Sequence, residues 1–170
     1  MKVVFAKNFN FVFAFIITSL FFLNASAEEP SSKTTTEIYQ DWQYSCVERE
    51  GTSNCEVVQS AVNSQGGVVS QISAVINPDQ KPQVQIILPH FINLQKEISL
   101  NIPNQLKLSL QPLFCDPRAC YVVLTEEKIF KSLNDGEKLE LEVDLISSEK
   151  LGISYSLRGF KAAYSRMTGN

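Results

Sequence analysis

The stretch Phe114-Cys115-Asp116-Pro117-Arg118-Ala119-Cys120-Tyr121 indicates how the second half of this chain folds. Two cysteines flank four residues that include an Asp-Pro pair, and such a pair favours a turn. If the two thiols are oxidised together, the chain doubles back and is pinned here, provided that the Cα atoms come within the roughly 7 Å that a disulfide allows. The stretch therefore predicts a hairpin tip closed by a disulfide.

The segments on either side of this tip have the pattern of strands. Leu106, Leu108 and Leu110 alternate with polar residues before it, and residues 121–124 form a second apolar run after it. Similar alternation recurs between turn residues at residues 42–46, 84–88, 98–102, 139–145 and 151–157. We therefore predict an all-β, mainly antiparallel fold, arranged as a β-sandwich or barrel-like single domain.

One or two short helices are expected in the C-terminal third. Thr125 is placed to cap a helix whose first turn contains Glu126 and Glu127, and Gly136 is placed to end it. Residues 160–167 are expected to form a short closing helix.

The N-terminal residues have the parts of a secretory signal peptide. Lys2 and Lys7 precede an uncharged apolar run over residues 11–23, and Ala25-Ser26-Ala27 supplies the small residues that a signal peptidase reads. A retained anchor is the alternative, but this run of 13 residues is shorter than the roughly 20 that a membrane-spanning helix needs. We therefore predict a signal peptide over residues 1–27 and no transmembrane segment after its removal.

The chain after the signal peptide is predicted to be one acidic domain. Residues 28–36 are polar and lack periodicity, so we predict a disordered leader there and a β domain over residues 37–170. Removal of Lys2 and Lys7 with the signal peptide changes the formal charge from −3 to −5. This balance argues against a nucleic-acid partner, because phosphate binding requires clustered positive charge.

Four cysteines in an exported chain are most simply two disulfides. Three pairings are possible, and the close spacings favour two local bridges, Cys46 to Cys55 and Cys115 to Cys120. Zinc is the competing use of four thiols, but the chain has no C-x-x-C pair and an oxidising compartment would compete for the thiols. Thiol-disulfide catalysis also usually requires such a pair. We expect no metal and no cofactor.

Few side chains are of the types that catalysis requires. His90 is the single histidine, and it stands with Phe91 at a predicted strand end, where a loop histidine without a catalytic role is the commoner case. Asp116 and Arg118 lie inside the cysteine loop, where they either contact a partner or act as a turn residue and a solvated charge. The sequence predicts no catalytic residues, and His90, Phe91, Asp116 and Arg118 are its candidate partner contacts.

Several short motifs also occur in a characteristic order. They are Trp42 before Cys46, a paired Cys55, Leu88-Pro89, the loop from Phe114-Cys115 to Ala119-Cys120, Leu133 with Gly136, and Ser156-Leu157-Arg158-Gly159-Phe160 with Ala162-Ala163. In this order they resemble the invasion-associated locus B family over nearly all of the chain after the signal peptide. His90-Phe91 stand where the family usually has a glycine-containing segment, which predicts a loop of different shape or with a different partner.

The resemblance implies an exported, β-rich, non-enzymatic protein of a Gram-negative bacterium, linked in some members to virulence through invasion of host cells. Its expected location is periplasmic, secreted or outer-membrane-associated, and its expected partner is a protein or a cell-surface molecule. A periplasmic binding or inhibitor module with a housekeeping role is the alternative. An exported hydrolase is a third class, which would need a nucleophile and a base that the sequence does not display.

The predicted signal peptide is tested by the mass of the exported protein. We expect cleavage after Ala27, because both the small residues and the length of the apolar run place the site there. Intact-mass spectrometry should therefore give the mass of a chain that starts at Glu28. A full-length mass in the membrane fraction would show that the apolar run is an anchor.

Overall fold

Residues 32–169 are described by a computed structural model, in which they form two antiparallel β-sheets and two α-helices. The predicted signal peptide over residues 1–27 lies outside the described residues. Within residues 32–169, neither helix is long and apolar enough to cross a membrane. The all-β, mainly antiparallel fold predicted from the sequence is confirmed, and the two sheets pack as a sandwich.

The elements follow one another in a strand-rich order. They are β1 (Lys33–Tyr39), β2 (Trp42–Arg49), β3 (Thr52–Val62), β4 (Val68–Ile76), β5 (Pro82–Pro89), β6 (Ile98–Ile102), β7 (Leu106–Leu110), β8 (Phe114–Cys115), β9 (Ala119–Leu124), α1 (Glu127–Asp135), β10 (Lys138–Asp144), β11 (Lys150–Ser156) and α2 (Phe160–Thr168). The larger sheet has the order β1-β2-β3-β4-β5-β9-β8, and the smaller sheet has the order β11-β10-β6-β7.

The predicted disordered leader over residues 28–36 is wrong for residues 33–36, which belong to β1. Residues 34–36 are threonines, and they pair with residues 45–47 of β2. Threonine is β-branched and suits an extended backbone, so pairing with β2 orders this segment although it lacks an apolar pattern. The domain therefore begins before the predicted boundary at residue 37.

The predicted hairpin tip is present, but its first strand is not the one expected. Leu106, Leu108 and Leu110 form β7, which pairs with β6 in the smaller sheet and not with β9. The tip is formed instead by β8 and β9, with Cys115 opposite Cys120. Residues 111–113 carry the chain from one sheet to the other, and alternation alone could not reveal this change of sheet.

The two helices lie close to their predicted positions. The N-cap of α1 is Glu126 rather than Thr125, and Gly136 ends the helix as predicted. Gly136 is required for packing, since a Cβ there would approach side-chain atoms of Ile102 and Leu157 to 2.7 and 2.9 Å. The closing helix predicted over residues 160–167 is confirmed as α2.

One hydrophobic core lies between the sheets and beneath the helices. Alternate residues of each long strand point into it, as the periodicity predicts. Its largest fully buried side chains are Trp42, Tyr155, Phe160, Ile72, Ile86, Leu88, Leu100, Ile102, Ile129, Leu133, Leu139 and Val57.

Both predicted disulfides, Cys46–Cys55 and Cys115–Cys120, are confirmed. Each joins residues that lie directly opposite each other on neighbouring antiparallel strands, with Cα atoms 4.0 Å apart. In the chain-entropy model, closing loops of this length stabilises the fold by about 2–3 kcal/mol each. Residues 32–169 contain no free cysteine.

The corner between β11 and α2 packs against the turn between β1 and β2. Gly159 has a φ of 91°, and a Cβ there would lie 1.9 Å from the carbonyl oxygen of Tyr39. Glycine alone tolerates both the left-handed backbone and the close approach. The geometry of this corner therefore depends on the absence of a side chain at Gly159.

Side-chain contacts hold the same corner in place. Trp42 Nε1 donates to the carbonyl oxygen of Ser156 at 2.8 Å, and its ring meets Phe160 edge-on at 4.9 Å between centroids. Arg158 Nε donates to the Asp41 carboxylate at 3.0 Å. Hydrogen bonds from the Ser156 hydroxyl and from Arg158 lower the pKa of Asp41.

A buried hydroxyl chain links the two sheets. The Tyr155 hydroxyl donates to Ser70 Oγ at 2.6 Å, and the Ser70 hydroxyl donates to the carbonyl oxygen of Ile87 at 2.7 Å. Burial raises the pKa of Tyr155 to about 12. The phenol is therefore kept neutral in the folded protein at all ordinary pH values.

Replacement of Gly159 by alanine tests the corner. We expect Gly159→Ala to lower the free energy of unfolding by about 3 kcal/mol or more, because it adds both backbone strain and a steric clash. Gly51→Ala is the matched control, since Gly51 has a φ of +78° but nothing within 4 Å of a Cβ. It should cost about 1 kcal/mol. Equal losses of unfolding free energy for Gly159→Ala and Gly51→Ala, measured by chemical denaturation, would contradict the close approach at Tyr39.

Because folding raises the pKa of Tyr155, we expect the free energy of unfolding to fall at high pH. The unfolded chain ionises this phenol near pH 10 and the folded chain near pH 12. Tyr155 thus makes its full contribution to the free energy of unfolding below about pH 10. That contribution, up to about 2–3 kcal/mol, is lost as the pH rises to about 12. Urea unfolding at several pH values should show this loss in the wild type and a shallower one in Tyr155→Phe. Parallel pH curves for the two proteins would refute it.

Candidate functional site

The two loops predicted to contact a partner lie next to each other. β5 and β9 are antiparallel neighbours, and Pro89 at the end of β5 pairs with Ala119 at the start of β9. His90 and Phe91 follow β5 directly, and residues 116–118 precede β9. Antiparallel pairing therefore brings both loops to the same end of the larger sheet.

A groove of about 390 Å³ lies between these loops and the start of β4. Three of the four predicted contact residues, His90, Phe91 and Arg118, line it, whereas Asp116 does not. The other lining residues are Val68, Val69, Ser70, Gln71, Ile87, Leu88, Pro89 and Ala119. The groove is thus mainly apolar, with a cation and an imidazole at its rim.

Asp116 shapes the cysteine loop. Its Oδ1 accepts hydrogen bonds from the backbone N–H groups of Arg118 at 2.7 Å and Ala119 at 2.8 Å. The Tyr121 hydroxyl donates to Oδ2 at 3.3 Å. The two backbone donors are the main reason that the pKa of Asp116 lies below its ordinary value. Asp116 therefore has the turn role that the sequence offered as an alternative to partner contact.

Arg118 is held by the loop but remains open to solvent. Its side chain is 86% exposed, and its contact with Asp116 Oδ2 is long, at 3.5 Å. An exposed ion pair of this kind contributes little to stability. Most of the guanidinium therefore faces solvent, and its N–H groups have the geometry that suits carboxylates and phosphates.

His90 and Phe91 form an exposed aromatic pair. Their rings meet edge to face, with centroids 5.5 Å apart, and Phe91 is 45% exposed. The Phe91 carbonyl oxygen accepts a hydrogen bond from the N–H of Ile146 at 3.0 Å, which ties this loop to the end of β10. Within residues 32–169, the His90 ring has no hydrogen bond to a carboxylate or a hydroxyl.

Apolar residues that the sequence analysis did not select extend this surface. Val68, at the start of β4, is 65% exposed and lines the groove. Phe114 is 53% exposed and stacks on Tyr121 with ring centroids 4.5 Å apart. The disulfide register could have revealed this stack, because residues one step outside paired cysteines face each other on the opposite side of the sheet. Val68 carries no comparable signal in the sequence.

We use the name contact surface for Val68, His90, Phe91, Phe114 and Arg118. Clusters of exposed apolar residues on a soluble protein commonly mark sites of interaction. Aromatic residues and arginine are also the residue types that contribute most at protein interfaces. Among residues 32–169 there is no group of three or more His, Cys, Asp or Glu side chains able to hold a metal ion. The contact surface thus combines exposed apolar and aromatic side chains with one exposed guanidinium group.

The fold and the site define a disulfide-stabilised antiparallel β-sandwich with an apolar, aromatic-rimmed groove at one end of its larger sheet. Residues 42–168 match the family described as Invasion associated locus B (IalB) protein. The chain therefore belongs to the invasion-associated locus B family, and the resemblance found in its motifs is confirmed.

Two relatives from Bartonella illustrate the match. Invasion protein B of Bartonella bacilliformis is 24% identical over 142 residues, which cover 81% of this chain and 76% of that protein. The crystal structure of invasion associated protein b from Bartonella henselae has a TM-score of 0.68 at 24% identity, covering 79% of this chain and 95% of that one. The second comparison shows that the β-sandwich fold is shared.

The role of Asp116 is tested by hydrogen exchange in its loop. Asp116→Ala removes the acceptor of two backbone N–H groups, so the amides of Arg118 and Ala119 should exchange faster while global stability changes little. Asp116→Asn retains an oxygen at the same position and should keep most of the protection. Amide exchange measured by NMR distinguishes the variants. Unchanged exchange in Asp116→Ala would show that the disulfide alone orders the loop.

Proposed function

We propose that the exported protein acts by contact and promotes attachment to or invasion of host cells, with the contact surface as its binding site. The observation that carries this proposal is the convergence of His90, Phe91 and Arg118 on one groove, although they come from two loops far apart in the chain. Membership of the invasion-associated locus B family supplies the biological setting.

The composition of the contact surface favours a protein partner with an acidic or polar rim. Phe91 and Phe114 are about half exposed, at 45% and 53%, so binding would remove their exposed apolar area from water. Arg118 at the edge can form a paired hydrogen bond with a carboxylate. This combination of a central apolar anchor and a charged rim is typical of binding hot spots.

The proposal includes no catalytic step. A histidine acts as a general base when a second group orients it and a nucleophile lies within hydrogen-bond reach. The ring of His90 instead contacts Phe91, and its position at the groove rim suits partner contact. The names of the relatives likewise refer to invasion and not to a reaction.

Export is part of the proposal. Two disulfides are stable in an oxidising compartment, and this supports a periplasmic, secreted or outer-membrane-associated protein. A periplasmic binding or inhibitor module is the second candidate function, because the apolar groove would equally accept a side chain of a bacterial protein. Pull-downs that compare periplasmic with host-cell extracts separate the two.

Host-cell binding by single-residue variants tests the proposal. We expect Arg118→Ala and Phe91→Ala each to weaken binding of the purified exported protein to intact host cells by about thirtyfold, the loss expected for a hot-spot residue. Arg49→Ala is the matched control, since Arg49 is also exposed but lies at the opposite end of the larger sheet. Its binding should equal that of the wild type.

A gene deletion tests the same proposal in the bacterium. Deletion should lower invasion, the wild-type gene should restore it, and the Arg118→Ala gene should restore it only in part. Normal invasion by the deletion strain would reject the invasion role. Equal effects of Arg118→Ala and Arg49→Ala would reject the groove as the binding site.

A further inference from the structure

The outward face of the larger sheet is defined by its strand register. Core residues alternate with residues that point away from the smaller sheet, and the pairings align the latter in rows across the strands. One row contains Ile38, Gln43, Val58, Ser73, Gln85 and Val123. The next row contains Ser60, Gln71, Ile87, Tyr121 and Phe114. Gln71 and Ile87 also line the groove, so the face and the groove are continuous.

This face carries very little charge. Among the paired residues of this face within residues 32–169, charged side chains occur only at Arg49 and Glu56, both away from the groove. Asp116 and Arg118 lie beside the face, in the cysteine loop at the groove. The smaller sheet has the opposite character on its outward face, where six charged residues lie on three of its four strands. They are Lys107, Lys138, Glu140, Glu142, Asp144 and Lys150. The same chain thus contains one solvated face of the ordinary charged kind and one face that is nearly neutral.

Glutamine side chains give the neutral face its polar character. Gln83 and Gln85 lie on β5, and Gln71 lies on the neighbouring strand β4, opposite Ile87 and diagonal to Gln85. None of the three amides has a hydrogen-bond partner within residues 32–169, whereas the amide of Gln59, on the core side, donates to two backbone carbonyl groups. Each free amide offers two donors and a carbonyl acceptor to a ligand.

Two stacked aromatic rings lie on the same face, at the β8 edge of the larger sheet. Phe114 stacks on Tyr121 with an interplanar angle of 17°, and Phe114 is exposed. The rings belong to the row that also contains Gln71. The face therefore combines unpaired amides, small hydroxyl residues and a flat ring, and charge is nearly absent from it.

We propose that this face binds an uncharged oligosaccharide chain of a cell-surface glycan. A sugar ring has hydroxyl groups that both donate and accept hydrogen bonds, and these match glutamine amides, while its apolar C–H face packs against an aromatic ring. A neutral ligand needs no counter-charge, and the face provides almost none. The assignment rests on the proposed contact function, because it names the chemistry of the surface next to the groove.

Binding to immobilised oligosaccharides tests this assignment. The uncharged probes are cellohexaose, maltohexaose, chitohexaose and poly-N-acetyllactosamine, and the charged probes are heparin and polysialic acid. We expect the exported protein to retain at least one uncharged probe and neither charged probe. The double variant Gln71→Ala with Gln85→Ala should weaken that binding by about tenfold, as expected for the loss of two neutral hydrogen bonds.

Gln105→Ala is the matched control, since Gln105 is an exposed glutamine in the turn between β6 and β7, away from the face. Its binding should be unchanged. Failure to retain any uncharged probe, or an equal loss in Gln105→Ala, would overturn the assignment. So would a stable dimer of the exported protein in which Gln85 is covered, because the face would then bind a second copy.

Two results separate this assignment from the proposed function. Host-cell binding that depends on Arg118 without retention of any uncharged probe would overturn the oligosaccharide assignment and leave the contact function intact. Retention of an uncharged probe that depends on Gln71 and Gln85, without binding to host cells, would support the assignment and reject the attachment role.

Discussion

The close approach of Gly159 to the carbonyl oxygen of Tyr39 is the constraint on which the arrangement of the sandwich depends. It places the corner between β11 and α2 against the turn between β1 and β2. Trp42 can then donate a hydrogen bond to the carbonyl oxygen of Ser156, and Phe160 packs in the core. The closing helix then covers the strands at this side of the larger sheet. The beginning and the end of the domain are thereby fixed to each other. The larger sheet is continuous and positions the loops after β5 and before β9.

The groove results from the pairing of β5 with β9 in the larger sheet. β5 and β9 come from separate parts of the chain, and their antiparallel pairing places the loop after one beside the loop before the other. Hydrogen bonds to Asp116 and the Cys115–Cys120 disulfide fix the backbone of the second loop, and Arg118 is exposed on this fixed loop. A rigid support reduces the entropy lost on binding. Binding of a partner at the proposed contact surface would therefore require little loss of conformational entropy.

Much of the fold was predictable because alternation and cysteine spacing are local signals. They identified most strands and both disulfides, while cap residues identified the helix that follows β9. Partner choice between strands is not local, so β7 was assigned to the wrong hairpin, and backbone pairing ordered the threonines of β1 without an apolar pattern. At the site, turn chemistry identified Asp116 and Arg118. Val68 and the glutamines of the outward face become visible only through the register of β4 and β5.

We propose that partners are recognised at one end of the larger sheet. Hydrogen exchange of the exported protein with and without host-cell membranes measures this most directly, because bound surfaces become protected. We expect new protection at residues 87–91 and 114–121, with no change at the β2–β3 turn at the opposite end. Protection at that turn, or on the outward face of the smaller sheet, with the groove unprotected, would contradict it.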